Sequence, residues 1–150
     1  MRTAFVLLRR ALLSIAVSVC SASFAEDRCD APNRFRAEMG GYLGASYAVE
    51  LKGDDIQYSV LEPGSHSPTV WTIKPTESQW CDFRQTLDGV GVWGWREQYL
   101  NYNVLDGSHW DLDIAYKDHA LKTRGINDYP KSFMDYQLAV EKLVGGKLFR

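Results

Sequence analysis

Residues 108–126, SHWDLDIAYKDHALKTRGI, decide the fold class of this chain. From Ser108 to Tyr116 the pattern alternates. Trp110, Leu112, Ile114 and Tyr116 fall on one side, and His109, Asp111, Asp113 and Ala115 on the other, which is the period of a half-buried strand. A turn at Lys117 and Asp118 leads into a second strand. Pairing Tyr116 with His119 places Ile114 opposite Leu121, Asp113 opposite Lys122 and Asp111 opposite Arg124, so the solvent face becomes a ladder of opposite charges. Such a hairpin needs a sheet with one face buried.

Working outward, the C-terminal segment GINDYPKSFMDYQLAVEKLVGG enters a helix near Pro130. Phe133, Tyr136, Val140 and Leu143 stripe it, and it ends on Gly145 and Gly146. Upstream, Tyr47, Val49 and Leu51 alternate, a KGDD turn follows, and Ile56, Tyr58 and Val60 complete a second hairpin. EPGSHSP reads as a loop, and TVWTIKP as a further strand that presents Trp71 and Ile73 inward before Pro75 stops it. Thr76 then caps a helix with Gln79 as its capping-box partner. Trp80, Phe83 and Leu87 recur at helical spacing until Gly89. Residues 90–99 suit a strand through Trp93 and Trp95 or a helical turn through WREQY, and APNRFRAEMGG suits one short helix ending in its glycine pair. The expectation is an α+β fold: an antiparallel sheet of about five strands, two hairpins plus one strand, with two helices packed on one face.

Residues 1–25 read as an export signal. Arg2, Arg9 and Arg10 form a basic start, ALLSIAVSV is an apolar run too short to span a bilayer, and SFA provides small residues for cleavage after Ala25. Residues 26–150 would then form a single α+β domain in the periplasm or medium. Acylation at Cys20 is the minor alternative, weakened by Val19 where a small residue is needed. Loss of the signal removes three of 17 basic residues and none of 19 acidic ones, leaving 14 against 19 and a net charge of −5. That balance disfavours nucleic acid and anionic membranes as partners and suits a cationic one. No later apolar run reaches transmembrane length, so no transmembrane helix is expected in the mature chain. Cys29 and Cys81 remain, an even count in an exported chain, and are expected to form a disulfide. The alternative is a buried free thiol at Cys81 and a free Cys29.

The chemistry-bearing candidates are few. His109, Asp111 and Asp113 share a strand face with His119 at the far end of the hairpin, as a divalent-metal site would require. Lys122 and Arg124 opposite them point instead to a charge ladder, so no metal site is assigned. His66 lies between Ser65 and Ser67, yet no orienting carboxylate or oxyanion site accompanies it, and no catalytic residue or cofactor is assigned. Trp80 and Trp110 belong to inward stripes. Trp93, Trp95 and Arg96 are candidates for a binding surface, as are Asn127 and Tyr129 of the NDYP loop, because both segments adjoin the 108–126 hairpin and could form a groove.

The motifs WCDFRQTLDGVGVWGW, Tyr99, DGSHWDLDIAY and GINDYPKSF, spanning Trp71 to Leu143, together resemble a family of small bacterial α+β domains to which no activity is attached. The resemblance implies that Trp93, Trp95, Asp106, Gly107 and NDYP belong to one structural motif, with Asp106 and Gly107 shaping the turn into the 108–116 strand. The functional expectation is an exported, non-enzymatic binding protein, of the inhibitor or immunity type, for a cationic toxin or cell-wall hydrolase. The alternatives are a glycan- or peptidoglycan-binding module using exposed tryptophans, and a small hydrolase using His66 or His109.

Overall fold

A computed structural model describes residues 30–104 and 107–150. The expectations for the signal segment, Ala25, Cys20, Cys29 and Asp106 lie outside these residues. The described chain forms one seven-stranded sheet and two helices. The strands are β1 (Arg34–Gly41), β2 (Ser46–Lys52), β3 (Asp55–Leu61), β4 (Thr69–Ile73), β5 (Gln98–Leu100), β6 (Ser108–Ala115) and β7 (Ala120–Ile126). The helices are α1 (Glu77–Gly89) and α2 (Phe133–Leu143). Across the sheet the order is β4-β3-β2-β1-β6-β7-β5, antiparallel throughout except that β5 runs parallel to β7. The α+β class therefore holds, while the expectation of about five antiparallel strands is corrected to seven in a mixed sheet.

Two of the corrected elements have clear physical causes. Residues 34–41, expected as part of a short helix, are the central strand β1. Phe35 and Ala37 are buried, while Arg34 and Arg36 point to solvent, and β1 joins the two predicted hairpins by pairing β2 on one side and β6 on the other. Residues 90–99 are neither one strand nor a helical turn. A tight 3-10 turn at Val92–Gly94 follows Gly91, whose φ of +69° lies in the left-handed region, and the chain then extends into β5.

The 108–126 hairpin has the expected register: Asp111 opposite Arg124, Asp113 opposite Lys122 and Ile114 opposite Leu121, closed by Tyr116 N–H donating to the His119 carbonyl at 2.7 Å. The first hairpin turns at Gly53, φ +65°. The α1 capping box forms as expected, with Gln79 N–H donating to Thr76 Oγ1 and Thr76 N–H donating to Gln79 Oε1. Both helices cover the same sheet face. Phe83 of α1 meets Phe35 of β1 at 5.2 Å between ring centroids, and Phe133 of α2 meets Trp110 of β6 at 4.6 Å. Phe35, Ala37, Val49, Ile56, Leu112, Ile114, Leu87, Val140 and Leu143 are all at most 1 % exposed between these layers, and burial on this scale is the main source of stability. Trp71, expected inward, is instead 37 % exposed, because β4 is an edge strand that the helices do not reach across. No helix among the described residues is long and apolar enough to cross a membrane.

Candidate functional site

The uncovered face of the sheet carries the charge. Arg34 Nε donates to Asp113 Oδ1 at 2.8 Å, Arg36 pairs with Glu38 at 2.5 Å, and Lys52 pairs with Glu50 at 2.5 Å. The hydrogen bond and charge of Glu38 raise the Arg36 pKa. Asp113, expected to pair with Lys122, finds Arg34 of β1 instead, a strand invisible to the ladder argument. That leaves Lys122 of β7 unpaired, and Arg124 of β7, Asp111 of β6 and Glu97 before β5 likewise have no ion-pair partner within 4 Å among the described residues. These four side chains, with Gln98 and Thr123, line an open groove of about 530 Å³. Its wall is fixed by the way β5 joins the sheet: Arg124 N–H donates to the Glu97 carbonyl at 3.1 Å, and Thr123 Oγ1 donates to the Arg96 carbonyl at 2.6 Å.

The NDYP segment and its neighbours support the groove from behind. Trp110 lies across Gly125, its cross-strand partner, where a Cβ would overlap the indole. The indole N–H donates to the Asp128 carbonyl at 3.0 Å. Asn127, at φ +53°, donates through Nδ2 to the carbonyls of Asn101 and Val104, and a Cβ at Gly107 would overlap its side chain. Tyr129 stacks over Trp110 and bonds Ser108 through its hydroxyl. Arg96 is exposed, with its guanidinium 4.3 Å from the Tyr99 ring centroid and 3.7 Å from Asp128. Arg96 thus reaches Asp128, while Asn127 turns to the backbone of residues 101–104 and Tyr129 to Ser108 and Trp110, so the three side chains have no common point of contact.

The two tryptophans named from the sequence part company. Trp95 is half-buried among Trp110, Phe133 and Tyr136 and belongs to this aromatic support. Trp93 is half-buried in a separate cluster around Arg84, which sequence reasoning missed. Arg84 is 3 % exposed on α1. It donates to Asp88 at 3.0 Å and doubly to Asp118 in the β6–β7 turn at 2.9 and 2.7 Å, with the rings of Trp93 and Tyr116 at 5.1 and 4.5 Å. Trp93 N–H donates to Asp88 at 2.7 Å, and its ring faces His119. Arg84, and to a lesser degree His119, hold the Asp118 carboxyl well below the usual carboxylate range. The signal for this lock was Arg84 directly following Phe83 on the apolar stripe, with Asp88 one turn on.

Other predicted positions stand apart. His109 is exposed on the uncovered face, where Gly40 leaves room for it beside Ser46, and His66 is exposed in the β3–β4 loop. No group of three or more His, Cys, Asp or Glu side chains able to hold a metal occurs among the described residues. Cys81 is half-buried at the flank of α1 and is disulfide-bonded. No family model and no curated protein matches the chain.

Proposed function

We propose that the protein is an exported, non-enzymatic binding protein whose protein partner docks on the uncovered sheet face at the β5–β7 groove. The observation that carries this reading is the set of four unpaired charges around one open groove, Glu97 and Asp111 against Lys122 and Arg124. Charges left without internal partners can meet a complementary surface without an internal ion pair first being broken, and they speed encounter with it. On the opposite face Trp110 packs across Gly125 of β7 and bonds the Asp128 carbonyl, which holds the strands that carry the groove in place and limits the entropy lost on docking. The excess of acidic residues in the chain after residue 25 favours a partner of net positive charge, such as a secreted toxin or a cell-wall hydrolase.

The test is capture. The full chain, tagged after Arg150, is expressed in its producer, and complexes are recovered from envelope and medium for mass spectrometry. The reading expects a stoichiometric, basic protein partner that salt releases. Recovery of the chain alone from both fractions, at expression levels matching the producer's own, counts against it.

A further inference from the structure

The sheet has two unequal edges. At one end β5 is only three residues long. At the other, β4 offers TVWTI with four of five residues exposed and no charged side chain. Uncharged, β-branched and aromatic edge strands are templates for pairing, and natural chains blunt them with inward charges, which β4 lacks. Apolar surface continues from it. Val70 is 52 % exposed on the uncovered face. On the helix side Trp71 lies against Tyr58, whose hydroxyl donates to the carbonyl of Leu148, itself 49 % exposed.

We propose that β4 is the interface of a symmetric dimer, in which two copies join edge to edge as antiparallel strands around a two-fold axis at Trp71. The register follows from the geometry. Antiparallel ladders pair residues of like orientation, so a two-fold must pass through a residue and not between two, and an axis at Trp71 gives the longest overlap of the five-residue strand. It places Trp71 opposite its own copy, Val70 opposite the second Thr72, and Thr69 opposite the second Ile73. Each strand's free edge groups are satisfied by the other, and the Trp71 and Leu148 side chains close over the helix-side seam. An isologous contact of this kind uses up both β4 edges and closes, so it yields a dimer and not a fibre. The β5–β7 grooves end up at the two far ends of a continuous sheet, both open. Such an edge falls at the small end of stable interfaces, and association is therefore expected to depend on concentration. Lys147, whose ammonium lies 4.4 Å from the Trp71 ring, is the cation that the symmetry brings nearest to its own copy.

Sedimentation equilibrium of the purified protein, from about 1 µM to 1 mM at about 0.15 M salt, where close charge pairs are still felt, tests this. Two double variants fix the register, with circular dichroism as the folding control, since residues 70 and 72 both face solvent. Val70→Lys with Thr72→Lys sets like charges opposite each other twice across the axis and should weaken dimerisation at least tenfold. Val70→Glu with Thr72→Lys sets opposite charges there and should restore it. A protein that is monomeric over the whole range overturns the proposal. So does a dimer indifferent to the first double variant, or one that the second fails to restore.

Discussion

Residue by residue, the side chains that set the groove's wall are held by steric and electrostatic requirements that single substitutions expose. Gly125 is needed because Trp110 occupies the space a Cβ would take, with the Asp128 carbonyl closing the other side. Gly125→Ala must therefore push Trp110 off the stack with Tyr129 and Phe133. We expect a loss of about 2–3 kcal/mol, read as a lower urea midpoint at unchanged slope. Asp118 behaves differently, because its role is charge. Its folded-state pKa is depressed by Arg84, so its stabilising contribution is fully present above the unfolded value of about 4 and disappears as pH falls through the lower folded value. The stability gap between the protein and Asp118→Asn should accordingly be widest at neutral pH and narrow steadily below about pH 4. A gap constant from pH 7 to pH 2 would show that the carboxylate's charge is not what ties the β6–β7 turn to α1.

At the scale of elements, what was legible depended on whether local pattern and tertiary environment agreed. The α1 capping box, the apolar stripes of both helices and the 108–126 register were readable because each is specified by neighbours within a few residues. Thr76→Ala should cost about 1 kcal/mol, visible as a lower thermal midpoint, since it removes the acceptor for Gln79 N–H. Strand β1 was missed although Arg34, Phe35, Arg36 and Ala37 alternate, because the following Gly40 and Gly41 resemble a helix stop. In the sheet those glycines instead continue the pairing with His109 and Ser108. That omission also hid Arg34 as the partner of Asp113, and with it the freedom of Lys122. Strand β5 carries only three residues and is held by parallel pairing to β7, a long-range contact with no local signature. Trp71 shows the converse: its alternation is real, but position at the sheet edge, which sequence does not encode locally, leaves it exposed.

At the scale of the whole molecule, a sheet covered on one face by helices is combined with the binding role proposed for the other face. Cys81 is disulfide-bonded, and Cys29 is the partner we propose for it. A non-reducing digest should yield the peptide pair Cys29–Cys81, and Cys29→Ser should lose about 4 kcal/mol in the chain-entropy estimate for a loop of about 50 residues. Recovery of both cysteines as free thiols would remove that staple from the account. One sheet face is packed under helices, and on the proposed binding role the uncovered face is where the partner docks, at the β5–β7 end where the unpaired charges lie. The most direct measurement is the affinity of the captured partner for three proteins: the unmodified chain, a double charge reversal in the groove (Asp111→Lys with Arg124→Glu), and an equally charge-neutral double reversal at exposed positions away from it (Glu62→Lys with Lys74→Glu) as the control. The double reversal keeps the net charge and the cross-strand sign pattern between residues 111 and 124, so folding and long-range attraction are preserved while the groove's layout is inverted. Docking at the groove should give at least a tenfold weaker complex for the groove variant and little change for the control. Equal affinity for all three would contradict it and place the partner elsewhere on the molecule.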